Sequence, residues 1–401
     1  MIFLFQHPDF LNEEWLATAA GIAITFVVFI MGVPALIFQT FIADGLRDVY
    51  NERLGGKWSR LFKIQMGLIA LIFLLGNVEL DKVLSPGHSW WFFPLCVSGI
   101  LFIVLFLGLR SLVKNFQSSR NIEKKLSEKI TNDAIAHFEK HKTVPAKDLE
   151  DLGILARELQ SGRVKNIFLE QCERLVEYLL NTSEENRDTK LIGEILSNAV
   201  CLSVTYDGGQ FNNENIRKAL DILSFTYSHI LHNTTGGASS SYLNTTIGNC
   251  MKEIGIKAMT KDDLPAVMDA VEKLSAIEAT SKEMFILGNE ALLQGHVEPA
   301  VAAIRKLGGK VRDAFLPGQP VDYEDKRAFY FWLGLVAKVY QLGGFAQNFA
   351  QRRLQTAVAQ FDDARGELQT LFKETQKNFY QVADFDTADA VKNLEEILFP
   401  E

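Results

Sequence analysis

Apolar positions along this chain fall into two regimes. In the first 113 residues they run together, as nearly unbroken stretches from Trp15 to Phe41, Ile64 to Leu80 and Trp90 to Leu109. Beyond residue 145 they recur every three or four positions among charged residues, which is the period of an amphipathic helix. Alternation of β-branched residues is nearly absent, so the pattern predicts an all-α protein. Its parts are three transmembrane helices followed by a cytosolic α-solenoid-like helical-repeat domain.

Roughly 20 apolar residues cross a bilayer core, and each of the three stretches approaches or exceeds that length. The first is preceded by an acidic flank and is too long for the apolar part of a signal peptide. Arg47, Arg53, Lys57, Arg60 and Lys63 lie between the first two stretches, and Arg110 and Lys114 follow the third. Positive residues stay on the cytosolic side. They predict a multi-pass protein of a plasma or bacterial inner membrane, with its amino terminus outside and its carboxyl-terminal domain in the cytosol. The acceptor-like triplets at Asn181, Asn233 and Asn244 then count as chance matches in polar loops. No charged residue lies deep within a span. Thr18, Thr25, Gln39 and Thr40 are the polar groups that an oligomer could bring to a pore.

The remaining boundaries follow from turn chemistry. Residues 1–113 form the three-span domain, 114–144 a helical stalk, 145–353 the helical-repeat domain, and 354–401 a long amphipathic helix with a capping helix. Within the third segment one hairpin is written more than once. Leu287-Gly288-x-x-Ala291 stands 33 residues after Ile254-Gly255-x-x-Ala258, and Leu333-Gly334-x-x-Ala337 repeats the opening after an inserted loop. Gly255, Ala258, Gly288, Ala291, Gly334 and Ala337 are small, which lets a neighbouring helix approach closely. A hairpin of this kind needs neighbours to bury its apolar face.

Leu287, Gly288, Gly295 and Ala300 give this segment a resemblance to the tetratricopeptide repeat, over about 110 residues. Ala291 stands where that motif carries a large aromatic, and Arg312 where it carries a closing proline. The resemblance implies a stack of helical hairpins whose surface receives a protein segment.

From Leu354 to Val382 the apolar positions alternate by four and three. Leu354, Val358, Phe361, Leu368, Phe372 and Phe379 form a seam interrupted at Arg365 and Thr375. Such a seam pairs two subunits or packs on the chain's own repeats. With the small residues of the first stretch, it supports a homo-oligomer.

Charge narrows the partners. Residues 1–125 hold 11 Lys and Arg against 9 Asp and Glu, whereas residues 126–401 hold 30 against 40, a net of −10. An acidic domain lacks the electrostatic footprint of a nucleic-acid binder. The four cysteines stand apart, without metal-ligand spacing. His137 and His141 share a helix face, but Phe138 replaces the glutamate of a zinc-protease helix, and no third ligand is evident. The acidic run Asp384 to Asp389 follows a helix rather than a buried strand, and Asp386 or Thr387 suits a helix cap. No nucleophile–base set, metal site, cofactor site or nucleotide fingerprint emerges, so no enzyme is expected. The expected function is a membrane-anchored scaffold or sensor that binds a protein partner. The alternative is an oligomeric pore-forming or membrane-disrupting effector, of the kind used in stress or phage defence, gated by its cytosolic domain.

Overall fold

The computed structural model describes residues 43–55, 103, 119–159, 161–182, 188–206, 212–233, 237–314, 322–360 and 365–400. It divides into two compact units, Met1–Ile130 and Thr131–Glu401. Among the described residues every regular element is a helix and no strand occurs. The protein is all-α.

The three-span expectation does not hold for the helices described. Among the described residues, no helix is long and apolar enough to cross a membrane. The physical reason is amphipathicity: each long described helix buries one stripe against its neighbours and carries charges on the other. The multi-pass assignment, the topology and the localisation built on it are not carried forward. Residues 15–41 and 64–80, and all of 90–109 except Ile103, lie outside the described residues, as do Thr18, Thr25, Gln39, Thr40, Lys57, Arg60, Lys63, Arg110 and Lys114.

In the first unit, α1 (Asp44–Tyr50) buries Leu46, Val49 and Tyr50, and continues as a π-helical turn from Asn51 to Gly55. Arg47 pairs with Asp44 at 2.6 Å, one turn earlier in α1, and Arg53 lies in the π turn.

The second unit begins within α2 (Ser119–His141) and continues through α3 (Ala146–Glu158), α4 (Gly162–Leu180), α5 (Thr189–Ile195), a π-helical stretch (Leu196–Cys201), α6 (Leu202–Thr205) and α7 (Asn213–Asn233). There follow α8 (Gly237–Met259), α9 (Leu264–Ala276), α10 (Ser281–Leu293), α11 (Val297–Ala314), α12 (Tyr323–Gln341), α13 (Gly344–Gln360), α14 (Arg365–Gln381) and α15 (Phe385–Leu398). Paired contacts fix how they stack. Gly193 meets Tyr242 and Cys201 meets Cys250, so the α5–α6 segment and α8 run parallel. Gly248 meets Thr280 and Gly255 meets Leu287, which makes α8 parallel to α10. Phe285–Phe331 and Gly288–Leu335 do the same for α10 and α12, and Phe329–Phe372 and Gly334–Phe379 for α12 and α14.

A second parallel series lies against the first. Asn132–Arg174 and Phe138–Tyr178 join α2 to α4, while Asn166–Asn215 and Asn181–His229 join α4 to α7. Asp221–Lys273 and Tyr227–Glu278 continue to α9, and Glu272–Lys306 and Ile277–Lys310 to α11. The second unit therefore contains two layers of helices, parallel within each layer.

Sharp turns connect the layers. The α8–α9, α10–α11 and α14–α15 turns share one geometry, with a left-handed residue at Asp262 (φ 55°), Gly295 (φ 83°) and Ala383 (φ 60°). In each, the amide of the next residue reaches back five positions: Asp263 to Ala258 at 3.1 Å, His296 to Ala291 at 2.7 Å, and Asp384 to Phe379 at 3.0 Å. These bonds satisfy carbonyls that the helix end would leave unpaired.

Candidate functional site

Close helix approach is built on the glycines. A Cβ on Gly255 would lie 2.9 Å from Leu287 and 3.2 Å from Ala270; on Gly288 it would lie 2.7 Å from Leu335 and 3.3 Å from Ala303. The geometry recurs with the 33-residue step, since Gly288 follows Gly255 and Ala303 follows Ala270 by that interval. Ala258, Ala291 and Ala337 are fully buried. Gly334 sits under the rings of Phe379 and Phe285. The next copy is displaced from the Leu-Gly motif at Leu333: Leu335 occupies the place that Leu287 holds in the copy before. The left-handed turn agrees, because Gly343 follows Gly295 by 48 residues, as Leu335 follows Leu287.

The seam of the carboxyl-terminal segment is distributed over two described helices, with Leu354 and Val358 on α13, Leu368, Phe372 and Phe379 on α14, and Phe361 outside the described residues. Leu354, Leu368, Phe372 and Phe379 are buried within this one chain. Phe372 packs edge-on to Phe329 and Phe399 at 5.9 and 5.8 Å, and Phe379 stacks on Tyr330 at 4.9 Å. Arg365 stays exposed, its guanidinium 5.6 Å from the Phe399 ring.

Beside this packing an aromatic surface remains partly open. Phe285 of α10 and Phe331 of α12 lie 5.3 Å apart, with Tyr330 adjoining Phe331 at 5.1 Å. Arg327 reaches to 5.8 Å above the Phe331 ring. All three rings are half-buried. Sequence periodicity placed no emphasis on them, because an aromatic on a helix stripe reads as core whether or not a neighbour covers it.

The second layer presents a different face. Lys218 bonds Glu173, Lys273 bonds Asp221 at 2.7 Å, and Lys306 bonds Glu272, so α7, α9 and α11 each reach back to the preceding helix of this layer. Between α4 and α7 lies a polar cleft of about 310 Å³, bordered by Asn166, Glu170, Arg217, Lys218 and Asp221. Two of its charged residues already belong to that ladder.

Two lysines lie deeper. Lys165 is fully buried and donates to the Ser203 carbonyl at 2.7 Å; burial pushes its ammonium down to about 8. Lys310 donates to the Ile277 carbonyl at 2.6 Å, and burial lowers it to about 8 against the opposing pull of Glu278 and Glu283. Both tie a helix end to the neighbouring helix. Asp384, rather than Asp386 or Thr387, caps α15 through the Thr387 amide, and it holds Lys338 at 2.7 Å. Burial pushes the Asp384 carboxyl up, but hydrogen bonds from Lys338 and Thr387 outweigh it and hold the group below its usual range.

The His137 and His141 rings lie 4.5 Å apart, with His137 Nδ1 2.8 Å from the Thr143 carbonyl. Among the described residues, no group of three or more His, Cys, Asp or Glu is placed to hold a metal ion. In comparisons with known proteins, no family model matches the chain. No curated protein matches it either.

Proposed function

We propose that residues 131–401 form an α-solenoid-like scaffold that binds a protein partner, without enzymatic chemistry of its own. The observation that carries this reading is the half-buried Phe285, Tyr330 and Phe331 surface beside Arg327. Aromatic side chains and arginine are enriched at the centres of protein interfaces, where they exclude water around a few strong contacts. The two-layer stack supports the same reading, because it holds residues from separate helices at fixed spacing on one face.

The test is photocrosslinking in the source cell, with a benzoyl-phenylalanine at position 331 and a comparison at exposed Lys392. A discrete protein adduct at 331, absent from the Lys392 variant, is the expected result. Identical adduct patterns at both positions, or none at 331, would overturn the reading.

A further inference from the structure

The parallel order of α10, α12 and α14 brings three turns to one edge of the stack. Each of those turns exposes large apolar side chains. Leu293 and Val297 flank the α10–α11 turn, Leu342 and Phe345 the α12–α13 turn, and Val382 and Phe385 the α14–α15 turn. Phe345 is 87% exposed and Leu293 74%. The equivalent α8–α9 turn carries Thr260, Lys261 and Asp262 instead, so the apolar row has a defined end. Turns are ordinarily polar, and a contiguous row of exposed apolar groups marks an interaction surface.

Charge selects the occupant. Residues 293–298, 341–346 and 381–386 contain no Lys or Arg; their charged groups are Glu298, Asp384 and Asp386. Lys338 neutralises Asp384, which leaves Glu298 and Asp386 as exposed carboxylates beside the apolar row. The surrounding residues 126–401 carry a net of −10. A second copy would set these carboxylates against their own kind, and like charges across an interface are costly. A cationic segment meets the opposite sign and is steered inward by the field of the whole domain.

We propose that this turn edge docks an amphipathic helix of a partner protein, with apolar residues along one stripe and Lys or Arg beside them. Neighbouring helices in a layer lie about 8–10 Å apart. Seven residues of a partner helix rise about 10.5 Å. Residues seven apart in the partner can thus meet successive turns of the array. This inference rests on the scaffold reading and adds to it the surface and the chemistry of the partner.

The experiment titrates a fluorescent peptide of about 18 residues, built from Leu and Lys at helical spacing, into the full chain. A Leu/Glu analogue serves as the charge control. The comparison protein carries Leu293→Ser, Phe345→Ser and Phe385→Ser together, and its melting temperature verifies folding. The expected result is saturable binding of the Lys peptide that weakens about tenfold or more in the triple variant, with the Glu analogue at least as weak. Equal affinity of both proteins overturns the docking edge while leaving the scaffold reading to the crosslink at position 331. Absence of binding to the wild type overturns the edge as well. Concentration-dependent dimerisation lost in the triple variant also overturns it, by assigning the edge to a second copy.

Discussion

Gly288 and Gly309 stand in neighbouring helices and have opposite surroundings. A methyl on Gly288 meets Leu335 and Ala303, whereas one on Gly309 meets nothing within 4 Å. Gly288→Ala should therefore destabilise the protein by about 1–3 kcal/mol through overpacking. Gly309→Ala should stabilise it by about 0.5–1 kcal/mol, because alanine loses less backbone freedom in a helix. Denaturant titration of the two variants side by side checks both signs. Lys165 gives a pH-dependent counterpart. Its ammonium titrates near 8 in the folded chain and near 10.4 when unfolded. Between those values the unfolded state binds the extra proton, so stability from this group rises with pH and is constant below about 8. Relative to Lys165→Met, the wild type should gain stability as pH rises from about 8 to about 10.5. A flat difference over that window would refute the burial argument. Asp384 works in the other sense: its lowered carboxyl stabilises above the unfolded value near 3.9, and that stability is lost as pH falls through the folded value.

At the scale of elements, the turns explain what the sequence revealed and what it hid. Gly255 and Gly288 were legible because glycine followed three residues later by alanine has few other uses on an amphipathic helix. The α14–α15 hairpin has the same turn, yet Phe379 stands where Ala258 and Ala291 stand, so no repeat was visible there. The four-and-three spacing of Leu368, Phe372 and Phe379 fits a subunit seam and an internal stripe equally well, since both bury one helix face. The motif at Leu333 misled by two residues: inserted residues lengthen α12, and its turn falls at Gly343. Periodicity alone does not reveal that Leu293, Leu342 and Phe345 are exposed, because it cannot tell whether a neighbour covers an apolar residue. Ala383 offers a prediction at this scale. It adopts the left-handed conformation that glycine takes at Gly295. An L-residue there costs roughly 1–2 kcal/mol, partly offset by the chain entropy that glycine loses on folding. Ala383→Gly should raise stability by about 0.5–1 kcal/mol, read from the shift in the unfolding midpoint.

At the scale of the molecule, helices stack in register across the second unit. Its layers differ in chemistry: a ladder of lysine–carboxylate pairs ties α4 to α11, while small residues bring α8, α10 and α12 together. Exposed ion pairs contribute little each, so the packing of the small residues should dominate the stability of the array. A mutant cycle between Gly288→Ala and Leu335→Ala tests this most directly. Removing the Leu335 side chain makes room for the added methyl, so the two changes should couple favourably by about 0.5–3 kcal/mol. The same cycle with Leu333→Ala, the residue that the repeat motif alone would pair with Leu287, should be additive within about 0.5 kcal/mol. Coupling through Leu333 with additivity through Leu335 would contradict the register, and with it the stacked array.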